Sequence, residues 1–360
     1  MPILQHEPSL FGVSDHLKRL SDSGDPLEVL DQVVDFESFR PFLIEALAYK
    51  DGRKGGRPHF DPVAMFKAAI LQAQHNLSDA KTEFMIRDRL SWLRFLGFEL
   101  GGKTPDENTI RAYRNRLIEA GAFEALFQIF DHQLREAGYL PIGGQIVDAS
   151  LVSAPKQRNT NAEKAAIKEG QTADQIWPDE PNRAAQKDTD ARWTLKIGGK
   201  RRFDAAGQPL PDIAIPTFGY KSHISVDRRF GFIRGQATTS AANHDGAMLG
   251  QVLADNTASD VWADTAYRSK KNEAMLECRG LRSRIHRKKP KGKAMSDTMR
   301  RANSVKSKVR ARVEHVFAYQ KNCFGLFIRT IGLARAKAKI TLANLAFNMN
   351  RFVFHQTRSA

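Results

Sequence analysis

The sequence predicts an α/β protein in two parts, an all-helical N-terminal region followed by a mixed sheet flanked by helices. Three observations predict it. Apolar residues recur at helical spacing across residues 11–140, a period-two hairpin occupies 219–237, and short apolar runs alternate with helical segments from 143 onward. The expected domains are 1–140, helical, and 141–355, α/β, the second carrying a polar insertion at 154–215.

In the first part, Asp61-Pro62 precedes Val63, Met65, Phe66, Ala69, Ile70 and Leu71, which reads as an Asp cap, a first-turn Pro and an apolar stripe. Ser78-Asp79 opens the next helix, with Phe84, Met85, Leu90 and Leu93 as its apolar face. Thr104-Pro105 reads as the cap and first-turn Pro of a third, with Ile110, Tyr113 and Leu117 inward and Arg111, Arg114 and Arg116 on other faces. Phe123 to Leu134 continues the pattern. The third helix could enter a DNA major groove in a helix-turn-helix, with Arg111, Arg114 and Arg116 as the reading side chains, or simply be a solvated basic face.

In the second part, Gln145 to Asp148 is a short apolar run after a glycine pair and suits a buried strand ending in an acid. Residues 154–215 are polar with little periodicity and read as a long loop. Gly219 to Val226, a turn at 227–231, and Phe232 to Ala237 form the hairpin. There follow a helix at 244–254, a strand at 259–264 ending in Asp264, a helix at 270–278, a strand at 281–286, a long basic helix from 297 to about 324 and a last helix at 331–354.

Composition bounds the function. Of 360 residues, 41% are hydrophobic and 27% charged, which excludes collagen, a disordered chain and a membrane bundle. No apolar stretch approaches the ~18 residues of a membrane span, so no membrane partner is expected. No secretory signal is visible, and Cys278 and Cys323 are too few for a disulfide framework and read as buried small apolar residues. The reducing cytoplasm is the expected compartment. The net charge of +16 is uneven, at −5 over 1–150, +1 over 151–266, +14 over 267–321 and +6 over 322–360. Such a patch on folded elements attracts a polyanion, and nucleic acid is the expected partner. Arg287, Lys288 and Lys289, in a run from Arg282 to Lys293, are candidate contacts to the DNA backbone.

Against this background the acids stand out. Asp148 and Asp264 each end a predicted strand, where an open α/β sheet lines its ligand crevice, although either could merely begin a turn. Glu314 is the one acid between residues 298 and 360. Arg310 and Lys321 share its helix face, so it could pair with Arg310 or point into the crevice. Three carboxylates in a basic surround suit Mg2+ or Mn2+ and metal-assisted phosphoryl transfer by two ions.

These residues also carry a resemblance. Arg310-Ala-Arg-Val-Glu314 with Lys321 resembles the Tyr-Arg-Glu-Lys signature of bacterial insertion-sequence transposases with an Asp-Asp-Glu triad. Ile146-Val147-Asp148 and Val261-Trp262-Ala263-Asp264-Thr265-Ala266-Tyr267 are similar to that family's two Asp strands. Gly219-Tyr220-Lys221-Ser222-His223 with His244-Asp245 is similar to the intervening hairpin. Gly56-Arg57-Pro58, Arg87-Asp88-Arg89 and Arg114-Asn115-Arg116 resemble its helical N-terminal domain. The signature's Tyr falls on Ser307 here. The resemblance implies a ribonuclease-H-like catalytic fold, a triad of Asp148, Asp264 and Glu314, two Mg2+ ions (Mn2+ can substitute), cleavage at element ends and transfer of the freed 3′-hydroxyl into target DNA. It further implies double-stranded DNA partners (terminal inverted repeats and target), phosphate contacts from Arg310 and Lys321, a homodimer on DNA and a place at the bacterial nucleoid. A metal nuclease without strand transfer, or a non-catalytic DNA-binding derivative, are the alternatives.

Overall fold

A computed structural model describes residues 12–49, 58–198, 208, 213–290 and 292–359. Gly56, Arg57, Lys291 and the insertion residues 199–207 and 209–212 lie outside the described residues. The chain divides into two units, Met1–Gln133 with Leu345–Ala360, and Leu134–Asn344.

The first unit is helical: α1 Gly12–Asp22, α2 Pro26–Val33, α3 Arg40–Leu47, α4 Pro62–Gln74, α5 Asp79–Asp88, α6 Leu90–Leu96, α7 Glu107–Glu119 and α8 Phe123–Glu136, whose end reaches the second unit. Asp61 caps α4 by accepting from the N–H groups of Val63 (2.8 Å) and Ala64 (2.9 Å), with Pro62 in the first turn. Unlike an amphipathic surface helix, α4 is buried on nearly every side and forms the centre of the unit, with Phe39 and Phe66 packed at 4.8 Å. Two details differ from the sequence reading. The cap of α7 is Asp106, which accepts from Thr109 N at 2.7 Å, so Thr104 and Pro105 lie before the helix. On α5 the inward residues are Thr82 and Ile86, and Phe84 is exposed under the Lys81 ammonium.

The second unit is built on a six-stranded sheet: β1 Gln145–Ser153, β2 Arg192–Gly198, β3 Ile213–Asp227, β4 Ile233–Ser240, β5 Asp260–Trp262 and β6 Arg282–Ser283. The strand order is β2-β3-β1-β5-β6, with β4 paired to β3. β3 runs antiparallel to β1, β2 and β4, and β5 lies parallel to β1 and β6. Helices α12 (Leu249–Val252), α13 (Lys270–Cys278), α14 (Asp297–Asn322) and α15 (Leu333–Ser359) follow the hairpin, α15 belonging to both units. Val147, Leu249, Val252, Val261, Tyr267, Leu276 and Ile285 form one fully buried cluster. Val152, Phe218, Tyr220, Ile328 and Ile340 form another. Gly144 is required, because a Cβ there would meet Asp260 O and the Trp262 ring at 2.5 Å.

Here too the structure corrects some expectations. The strand at 281–286 reduces to two ladder residues, Arg282 opposite Asp260 and Ser283 opposite Val261, although the His286 N–H still donates to Ala263 O at 3.1 Å. The segment read as a loop is folded where described. It carries the short helices α9 Asn161–Lys168, α10 Ala173–Ile176 and α11 Pro181–Gln186, then β2. Ile167, Trp177 and Ala184 give it a small core of its own, and Glu163 ties it by accepting from Trp177 Nε1 (2.9 Å) and Arg183 Nη2 (2.6 Å). Cys278 and Cys323 are exposed and not buried, the first as the last residue of α13 and the second as the residue that caps the end of α14. Tyr139, in the segment before β1, packs on Phe230 and Phe232 of the hairpin turn. No helix among the described residues is long and apolar enough to cross a membrane.

Candidate active site

Asp148 is the fourth residue of β1 and not its last, because β3 pairs with β1 along its whole length. On the other side, β5 pairs only with Gln145 and Ile146 before it turns away. The edge of β1 is therefore open from Asp148 onward, and a crevice begins there. β5, the neighbour of β1, ends at Trp262, two residues before Asp264. Asp264 caps the short turn that follows β5, accepting from Ala266 N at 2.7 Å. Glu314 and Arg310 come from α14, held onto the sheet by Val313, Val316 and Phe317.

The Arg310 guanidinium lies between two of the acids, with Nη2 3.4 Å from both Asp148 Oδ2 and Glu314 Oε1. The Asp148 side chain is 14% exposed, whereas that of Glu314 is 63% exposed and reaches in from the rim. Burial pushes the Asp148 carboxyl up from 3.8 to about 6, against the pull of Arg310 and the Ala149 N–H, and with further push from Asp264 and Glu314. Asp264 and Glu314 are thus both near enough for their charge to be felt at Asp148. Lys321 donates from Nζ to Ser150 Oγ at 2.5 Å, two residues beyond Asp148 on the same open edge. Ser307, which stands in the signature's Tyr position, faces His286 Nε2 at 3.4 Å.

The donor set is all oxygen, which suits a hard divalent cation such as Mg2+ or Mn2+. As they stand, no three acids, histidines or cysteines among the described residues are close enough to hold an ion. Asp264 is turned to its own cap, and Arg310 supplies the positive charge between the other two. The residues fit the ion in chemistry and in shared location, and Asp148, Asp264 and Glu314 are the ones that would hold it.

The basic candidates separate. Arg287, Lys288 and Lys289 are exposed on the segment between β6 and α14, while Arg284 and Arg282 of the same run turn to Asp260, at 2.8 and 3.6 Å. On α7, Arg116 is exposed and lies over the Tyr49 ring, and Arg111 is half-exposed beside Asn108 and Asp79. Arg114 is different. It points inward and clamps Asp79 with both nitrogens, at 2.6 and 3.0 Å, so its guanidinium serves the packing of α5 on α7 and is not presented to a groove. Arg114→Ala is expected to lower stability by about 2–3 kcal/mol in urea denaturation, because Asp79 is left half-buried without its main partner. Arg116→Ala is expected to leave the midpoint within about 0.5 kcal/mol of wild type.

Three residues of the site region had no role in the sequence reading. Lys221 and Asp245 pair at 2.8 Å and tie β3 to the turn after β4. Tyr267, three residues past Asp264, is buried beneath the crevice. Their signal was present in the Gly-Tyr-Lys and Asp-Thr-Ala-Tyr segments, but spacing alone assigns neither a partner.

The described residues thus form an open-edged mixed sheet with carboxylates on β1, after β5 and on α14. Two families match the chain, Transposase domain (DUF772) over residues 15–116 and Transposase DDE domain over residues 140–349. The second covers more than half of the 360 residues, and the chain belongs to the DDE transposase family. The fold of that domain is ribonuclease-H-like, and the family typically uses a divalent metal and binds DNA. No solved structure matches the chain.

Proposed function

We propose that this transposase cleaves DNA at the ends of an insertion sequence and joins the freed 3′-hydroxyl to target DNA. Asp148, Asp264 and Glu314 are the triad in this reading, holding two Mg2+ ions for which Mn2+ can substitute. The observation that carries it is the Arg310 guanidinium set 3.4 Å from both Asp148 on β1 and Glu314 on α14, which brings those two carboxylates together at the open edge of the sheet. When bound, the ions supply activation of the attacking oxygen and stabilisation of the leaving oxygen. Asp148, fixed in the middle of a strand, is the rigid member. Glu314, on the rim, is the one free to move with the DNA.

Arg310 and Lys321 flank the carboxylates on one helix face and hold the phosphates on either side of the scissile bond, Arg310 as a planar fork and Lys321 as a point charge. Arg287, Lys288 and Lys289 add backbone affinity from the segment before α14. Arg111 and Arg116 on α7 contact the terminal inverted repeats, with Arg114 bracing the helix that carries them. The protein works as a homodimer bridging two element ends at the bacterial nucleoid.

The test uses duplexes carrying the element's terminal repeats, a supercoiled target plasmid and Mg2+. Nicked ends and joined products are expected, and chelation by EDTA should remove both. Cutting without joined product would point to a plain metal nuclease. Binding without cutting, in the presence of Mg2+ or Mn2+, would point to a non-catalytic DNA-binding derivative.

A further inference from the structure

The turn that carries Asp264 and the turn after β4 are built as one block. Asn272 of α13 is buried and donates from Nδ2 to Gly246 O at 2.8 Å and to Tyr267 O at 2.7 Å. A Cβ on Gly246 would meet Ala266 O at 2.6 Å, so the two turns touch backbone to backbone. Tyr267 closes the second turn. It is 1% exposed, and its ring packs in the cluster of Leu249, Leu276 and Ile285.

Its hydroxyl has no hydrogen-bond partner. A fully buried phenol in that state weakens the fold for no return in the resting protein. Its surroundings show what could repay it. Burial holds the phenol far above its ordinary range, and the charges of Asp148, Asp245 and Asp264 add to that, so the group is a proton donor at any working pH. Of these acids, Asp264 already accepts from Ala266 N, and Asp245 is paired with Lys221 at 2.8 Å. Asp148 Oδ2 has only the long 3.4 Å contact to Arg310. Arg310 is itself incompletely satisfied, with its buried Nε unpartnered.

We propose that Tyr267 is a positioning residue for Asp148: its hydroxyl donates to the Asp148 carboxylate once Arg310 is drawn off to a DNA phosphate, and holds that carboxylate turned to its cation. This rests on Asp148 being a metal ligand of a DNA-cleaving site. Arg310 and Tyr267 then alternate as partners of one carboxylate, the first in the resting protein and the second with DNA bound.

The experiment compares wild type, Tyr267→Phe and Asp148→Asn as full chains saturated with duplex DNA and titrated with Mn2+, free ion being read by electron paramagnetic resonance. Thermal midpoints are measured without DNA or metal. Tyr267→Phe is expected to weaken Mn2+ binding by about 10- to 100-fold, the usual effect of removing a group that orients a ligand. Its midpoint should equal or exceed that of wild type, because the lost hydroxyl had no partner. Unchanged Mn2+ affinity in Tyr267→Phe, with binding lost in Asp148→Asn, overturns the role of Tyr267 alone. Unchanged Mn2+ affinity in Asp148→Asn overturns the underlying reading of the site. A midpoint several degrees lower in Tyr267→Phe also overturns the proposal, because the hydroxyl would then serve the resting fold.

Discussion

Asp148→Asn is expected to abolish DNA cleavage, by at least about 10³-fold, and at the same time to make the protein more stable at pH 7. The two effects have one cause. In the folded chain the carboxyl is pushed up from 3.8 to about 6 by burial and by Asp264 and Glu314, with Arg310 and the Ala149 N–H opposing. The folded state therefore binds this proton more tightly than the unfolded chain. Stability from this group is full below about pH 4, falls as the pH rises to about 6, and stays reduced above that. At pH 7 the cost is about 2–3 kcal/mol. Asparagine fills the same space without the charge, and Arg310 keeps Glu314 as a partner. Urea denaturation of both proteins at pH 4.5 and pH 7, buffer conditions chosen to bracket this window, tests the argument. The variant should gain at the higher pH and show a flatter profile. A variant no more stable than wild type at pH 7, or cleavage within tenfold of wild type, would be inconsistent with a buried catalytic carboxylate.

Arg234→Ala should cost about 3–5 kcal/mol, the largest loss expected from a single side chain in the sheet unit. Arg234 and Asp227 form a buried ion pair at 3.2 Å, with side chains 2% and 0% exposed. Asp227 also accepts from Phe230 N at 2.6 Å and Phe232 N at 3.0 Å, which fixes the hairpin turn between β3 and β4. Arg234 reaches on to Tyr139 O at 2.5 Å and so anchors the first residues of the unit. Removing the cation leaves a carboxylate in a dry site and frees the turn and the entry segment together. Arg40→Ala gives the contrast. Its bonds to Glu37 and Asp61 are short, yet they lie at the surface, and about 1 kcal/mol or less is expected. Equal losses in the two variants would show that burial does not set the strength of these pairs.

How much of this was legible depended on whether the controlling partner was near in sequence. Helix α13 begins and ends where its pattern predicts, because Ser269 and the apolar positions that define it are local. On α14 the shared face of Arg310, Glu314 and Lys321 follows from residue spacing, and Arg310 does meet Glu314. The folded part of the insertion was present as two Thr-x-x-Glu/Gln boxes, Thr160 with Glu163 and Thr172 with Gln175. The helices they start, of eight and four residues, are too short to show a stripe. Strand lengths were not legible. Asp148 lies mid-strand because β3 continues beside it, and β6 is short because β5 is. Nor was the inward turn of Arg114, which is set by Asp79, 35 residues away. The candidate triad was thus readable as residue types and spacing, while the Arg310 bridge and the buried Tyr267 hydroxyl needed three dimensions.

The division of α15 between the two units bears on the order in which the protein is made. The helical unit takes in Leu345–Ala360, and its packing includes the Phe130–Phe352 ring contact and the Gln74–Asn350 hydrogen bond, whose partners are 276 residues apart. On the ribosome, α4 and α8 emerge long before the residues that complete their core. The sheet unit has all its strands and α14 in hand by then. The part translated first is the part finished last, so this arm cannot reach its full stability until the end of α15 has cleared the exit tunnel.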